Sequence, residues 1–156
     1  MSASLEELPP LPIALRPMRE ADLPWVTDTW LNSFRESNYG IAHDDYFETQ
    51  RRVIKRLFSR SRIAIACDPE DSDQTYAYAV WTPRDGKKPL LHWAYTKHSF
   101  RRFGIFRRLL VLVDPERRGV LLTHRSIHID ELRKGGLPIK LSSFSLADIL
   151  TQEAER

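Results

Sequence analysis

Apolar and polar positions along this chain follow two periods in turn. Ile13 and Leu15 alternate with Ala14 and Arg16, which predicts a short strand closing near Pro17. From Glu20 and Asp22 the period lengthens, with Leu23, Val26, Trp30 and Phe34 at helical spacing. Pro24 falls in the first turn of that helix, where a missing N–H costs nothing. Asn38-Tyr39-Gly40 signals a turn, and Asp44 or Asp45 caps a second helix with Glu48 placed as in a capping box. Tyr46, Gln50, Val53 and Leu57 form its stripe, flanked by Phe47, Ile54 and Phe58. Period two then returns, predicting strands at residues 63–67, 76–82 and 90–98. A charged loop separates the first two, and Asp85-Gly86 supplies hairpin chemistry between the others. A helix from Gly104 ends before Pro115, and residues 119–123 form a strand too apolar to be exposed. The order is strand, helix, helix, three strands, helix, strand, an α/β pattern.

Composition narrows the class of protein. At 156 residues the chain is one domain long, and its 42% hydrophobic and 29% charged content suits a folded, water-soluble domain. No apolar run approaches the ~18 residues of a membrane span. The N-terminus carries acidic residues where a secretion signal needs basic ones, so a cytoplasmic location is expected. One cysteine, Cys67, excludes an intrachain disulfide and a cysteine-based metal cluster within one chain. It reads as a buried small hydrophobe. The net charge of +3 suits an anionic ligand, either a phosphorylated cofactor or nucleic acid, and equally an arginine-rich surface. Clustering says more: Arg51, Arg52, Lys55, Arg56, Arg60 and Arg62 form one group, and Arg101, Arg102, Arg107 and Arg108 another.

The second cluster sits where chemistry can use it. Residues 92–113 read as a strand, a basic turn and a helix opening at Gly104. The first N–H groups of a helix lack an intrahelical partner and its dipole favours negative charge there, so such a turn is built for phosphates. Arg101 to Phe106 resembles the Arg/Gln-x-x-Gly-x-Gly/Ala turn of the GNAT superfamily of N-acetyltransferases, which holds the pyrophosphate of acetyl-CoA. Arg101 and Gly104 match, and Phe106 stands where a small residue is usual. RPMREADLPWV, from Arg16, resembles the first strand–helix junction of the same family.

The resemblance covers roughly residues 12–137, after a tail at 1–11. It implies a single domain over 12–156 with a mixed, mostly antiparallel sheet and helices on both faces. It further implies a notch where the fourth and fifth strands splay. There acyl-CoA pairs its pantetheine arm to strand backbone at Tyr95, Thr96 and Lys97. Its pyrophosphate meets Arg101, Arg102, Phe103, Gly104, Ile105, Phe106 and Arg107. A branched residue at Gly104 is expected to block that turn. Acetyl-CoA is then the acyl donor, the acceptor an amine on a small molecule or protein, and no metal is needed. Exposed strands at the notch fit a homodimer.

Amine acetylation needs a base for the ammonium proton and an acid for the departing thiolate. His92, whose pKa naturally lies near working pH, is the candidate base, against a structural histidine on a strand. Tyr95 is the candidate acid, against a core aromatic. The family's thiolate-protonating tyrosine falls on Leu132, within a stretch where Lys134 and Gly136 do match. His124 and His128, with Ser126 between them, contact substrate or cap a helix; no third ligand makes them a metal pair. Asp68, Glu70, Asp71 and Asp73 lack the central glycine and terminal Glu of a calcium loop.

Residues 137–141 supply a further strand, Ser145 caps a short helix through Leu150, and the remaining tail carries no motif. Leu132, Phe106 and that short C-terminus leave open a GNAT-fold module that binds without catalysis. Nucleic-acid binding through the Arg51–Arg62 face is disfavoured, because its aromatics lie on the apolar stripe and do not interleave with the cations.

Overall fold

The computed structural model describes residues 11–37, 43–123 and 139–141. β1 (Ala14–Pro17) leads through a 3-10 turn (Glu20–Asp22) into α1 (Leu23–Ser37) and α2 (His43–Phe58). β2 (Arg62–Cys67), β3 (Thr75–Thr82) and β4 (Leu90–Thr96) follow, then a second 3-10 turn (His98–Phe100) and α3 (Ile105–Val113). β5 (Val120–Leu122) and β6 (Ile139–Leu141) complete one six-stranded sheet in sequential order. Its first three pairings are antiparallel and its last two parallel, the expected mixed and mostly antiparallel sheet. The matching stretch at 131–137 and the short helix expected at 145–150 lie outside the described residues, as does the 1–10 stretch of the tail.

Each face of the sheet buries its own core. Toward α3 the strands present small side chains, Ala64, Ala66, Ala77 and Ala79, so the helix settles close with Ile105, Leu109 and Val113 inward. Toward α1 and α2 they present Ile65, Tyr78, Val80 and Trp93. Trp30 of α1 stacks on Trp93, with ring centroids 6.1 Å apart and planes 5° from parallel. Central β3 is covered on both faces, which is why residues 75–81 are buried without alternation.

Two boundaries differ from the sequence pattern, each for a local reason. The fourth strand stops at Thr96 instead of 98. The Phe100 amide bonds back to the Lys97 carbonyl (2.9 Å), and the Phe100 ring docks on Tyr76 at 4.3 Å, turning the chain over the α3 face. The first helix opens as a 3-10 turn because Asp22 is claimed from outside it. Its carboxylate takes two bonds from Arg16 (2.6 and 3.0 Å) and one from the Arg19 amide (2.8 Å). Arg16 also donates to the Ser72 carbonyl through Nε and one terminal nitrogen. The RPMREAD segment thus ties β1, α1 and the β2–β3 loop together.

The Arg16 hydrogen bonds, helped by the Arg19 amide, hold the Asp22 carboxyl below its ordinary range against the opposing effect of burial. A carboxyl with a depressed folded pKa stabilises the fold above its unfolded value of about 3.9, and that contribution disappears as pH falls through the folded value. Asp22→Asn should lower the unfolding free energy by about 2 kcal/mol at pH 7. Chemical denaturation at pH 7 and pH 3 should show the mutant and wild type converging in acid.

Candidate functional site

β4 and β5 pair only at their near ends, Leu90 with Leu121 and Leu91 with Leu122, with the Thr123 amide on the Leu91 carbonyl (3.1 Å). β4 continues to Thr96. From Ala94 to Thr96, among the described residues, no strand pairs with its β5 side, and the Thr96 carbonyl receives only the Arg101 Nε–H (3.1 Å). Thr96 backbone therefore borders the gap, whereas Tyr95, in register with Tyr78, turns its amide and carbonyl toward β3. Lys97 does not offer backbone there as expected: its amide bonds to the Tyr76 carbonyl (2.9 Å) and its carbonyl accepts from Phe100.

At the far end of that gap lies the basic turn. Gly104 caps α3 in the left-handed region (φ 75°), and Arg102 is left-handed too (φ 71°), an uncommon state for a side-chain-bearing residue. With glycine at the cap there is no side-chain acceptor, and the first helical bond runs from the Arg108 amide to the Gly104 carbonyl (3.3 Å). Among the described residues, no protein acceptor pairs with the amides of Arg102 through Arg107. Left-handed residues alternating with ordinary ones gather such N–H groups into a concave anion-binding nest. Arg102, Phe103, Gly104 and Arg107 are exposed, while Phe106 packs against the α3-side core, so its ring lies away from the turn.

Tyr95 sits on the other face. Its half-buried ring lies 5.9 Å from that of Tyr78 and meets Trp25 edge-on at 6.4 Å. Trp25, in the first turn of α1, lies off the apolar stripe of that helix, and only this cross-sheet contact shows its role. Tyr78 is fully enclosed, with its hydroxyl bonded to Thr29 and the Val26 carbonyl, and burial raises its pKa. No described residue bonds the Tyr95 hydroxyl. The Lys97 ammonium lies 5.1 Å above the Trp25 ring, and burial lowers its pKa.

His92 is the extra residue of a β-bulge. Val80 faces Trp93 and Trp81 faces Leu91, which leaves His92 without an opposite number. Only 1% exposed, its ring accepts or donates at both nitrogens, Nε2 to Thr82 Oγ1 and Nδ1 to Thr123 Oγ1, each 2.8 Å. It thus ties β3 to the residue that follows β5.

The other marked residues separate from this region. Arg51, Arg52, Lys55 and Arg56 form an exposed face of α2, with Arg52 bonded to Glu48. Cys67 is buried. Asp68 caps its own loop, taking the Glu70 and Asp71 amides and the Tyr76 hydroxyl. Among the described residues no group of three or more His, Cys, Asp and Glu could hold a metal, and no helix is long and apolar enough to cross a membrane. Leu132, His124, Ser126, His128, Lys134 and Gly136 lie outside the described residues.

No protein-family model matches the chain, and no curated protein matches it in sequence. Solved structures do match in fold. A protein of Clostridium difficile 630 described as a possible acetyltransferase superposes with a TM-score of 0.59 at 16% identity, over 85% of this chain and 93% of its own. A GNAT-family acetyltransferase of Staphylococcus aureus Mu50 gives 0.53 at 16% identity, over 79% and 80%. A GNAT-family acetyltransferase of Brucella melitensis in complex with acetyl-CoA gives 0.51 at 14%, over 78% and 82%. The chain has the GNAT acetyltransferase fold.

Two substitutions test this geometry. His92→Ala leaves a void and breaks two buried hydrogen bonds, so it should lower unfolding free energy by about 2–4 kcal/mol; an unchanged thermal midpoint would contradict the tie. A Cβ on Gly104 would meet no neighbour within 4 Å, so the expected block must come from its positive φ and not from crowding. Gly104→Ala should cost about 1 kcal/mol and Gly104→Val more, read by denaturant midpoints.

Proposed function

We propose that the protein is an acyl-CoA-dependent N-acyltransferase, moving an acetyl group from acetyl-CoA to an amine. The observation that carries this reading is the gap beside β4 ending at a turn whose six consecutive amides have no protein acceptor among the described residues. Those amides, from Arg102 to Arg107, would bind the pyrophosphate, with Arg101, Arg102 and Arg107 adding charge. Strand backbone at Thr96 would pair with a pantetheine amide, as one more strand does at an exposed edge. The arm fixes the thioester in the gap, and much of the rate then comes from positioning.

In the reaction the neutral amine nitrogen attacks the acetyl carbonyl carbon, and the C–S bond of the tetrahedral intermediate breaks. The CoA thiolate leaves and takes a proton. The Tyr95 hydroxyl, which no described residue bonds, would supply it. His92 does not fit the base, because both ring nitrogens are engaged in the sheet; water serves to carry the ammonium proton away. The same absence of a described base favours a second reading, a module that binds acyl-CoA without turnover.

Calorimetry with acetyl-CoA, followed by thiol release over a panel of amines, separates the readings. Binding with turnover supports the enzyme, binding alone supports the module, and no binding removes both. Arg101→Ala should weaken acetyl-CoA by about 1–3 kcal/mol, the value of a charged hydrogen bond. Tyr95→Phe should lower kcat by about 10²-fold with acetyl-CoA affinity unchanged; an equal loss in affinity would make Tyr95 a packing residue.

A further inference from the structure

We infer that the acceptor side of β4 is an anion-recognition subsite, in which the Lys97 ammonium and the Trp25–Tyr95 wall select an amine that also carries a carboxylate or phosphate. The inference rests on the acyltransferase reading for the word acceptor, but the recognition itself stands on the geometry of these three side chains.

Lys97 is not part of the phosphate turn, although it lies only four residues before Arg101. Its side chain goes to the opposite face of the sheet. Phe100, three residues on, packs with Tyr76 in the core beneath α3, whereas Lys97 reaches Trp25, which packs against the core beneath α1 and α2. The strand itself stands between the ammonium and the amides of Arg102 through Arg107.

The ammonium is also uncompensated. Among the described residues no carboxylate forms an ion pair with Lys97. The nearest acids by sequence on α1 are committed or turned outward: Asp22 is bound by Arg16, Asp28 is exposed, and the first turn of α1 carries no acidic residue. A half-buried ammonium that lies over an aromatic face and has no ion pair among the described residues keeps an unmet demand for an anion. Burial already works against its charged form. Trp25 and Tyr95, both half-buried, give an apolar wall beside it, so a ligand can be held by stacking while its anionic group meets Nζ. A purely cationic amine would meet like charge and lose affinity.

The test is binding at Trp25, followed as the indole N–H resonance assigned by its loss in Trp25→Phe. Two probe pairs differ only in the anion: phenylalanine against phenethylamine, and phosphoethanolamine against ethanolamine. At least one anionic probe should shift the Trp25 indole, and bind at least tenfold tighter than its partner without the anion. Which pair responds tells carboxylate from phosphate. Lys97→Gln should erase the difference, and Lys97→Arg should keep it.

Three results would overturn the inference: neither anionic probe shifts the indole, the cationic partner binds as tightly, or Lys97→Gln leaves the ratio intact. A phosphate probe that shifts the Gly104 amide but not Trp25 counts against it too. Failure of acyl transfer reads separately: anion preference at Trp25 without acetyl-CoA binding retires the enzyme reading and keeps this one, while acetyl-CoA binding without the preference does the reverse.

Discussion

One extra residue in β4 decides which side chains meet which helices. In an unbroken strand Leu91, Trp93 and Tyr95 would share a face, since side chains repeat every second residue. The bulge at His92 resets that alternation, so Leu91 enters the core under α3 while Trp93 and Tyr95 turn toward α1 and α2. Without it Trp93 would lie under α3, among alanines sized for close helix approach, and its stack with Trp30 would be lost. The inserted residue is then made useful: its ring holds Thr82 on one side and Thr123 on the other, just past the end of β5.

The two cores follow from this arrangement and place the helix starts. On the alanine face α3 lies close, and its N-terminus arrives at the end of the gap with amides that no described residue accepts. The left-handed pair Arg102 and Gly104 aims those amides outward instead of letting the chain wind into another helical turn. Strain at Arg102 persists because both sides of it are fixed, by the Phe100–Tyr76 contact before and by the buried Ile105 after.

Element order, and the turn at 101–104, were legible in the sequence because each depends on neighbours in the chain: period, capping residues, glycine and proline. The antiparallel pairing of β3 with β4 followed from hairpin chemistry at Asp85-Gly86. The bulge was not legible. His92 sits in a run, Leu90 to Tyr95, that is apolar at nearly every position, so alternation carries no phase and a one-residue insertion leaves no trace. That one omission misplaced the chemistry of His92, which on a regular strand would share a face with Ala94 and Thr96. Trp25 was hidden for a related reason: it stands off the stripe of α1, and its partners Tyr78 and Tyr95 come from strands more than fifty residues away. Lys97 read as strand backbone because the chain turn that ends β4 is held by Phe100 on Tyr76, a tertiary contact.

Charge on the two faces of β4 can then be read together. In the proposed reading Arg101, Arg102 and Arg107 with the turn amides would serve an anion on the α3 side, while Lys97 reaches the α1 side. For an amine to act as nucleophile it must first lose its proton. In the proposed reaction the Lys97 ammonium would attract the anionic part of the acceptor, and the positive charge that this pairing leaves uncompensated would disfavour the protonated form of the amine. That lightens the demand for a strong base, which fits a site where both nitrogens of the buried histidine are bound to threonines.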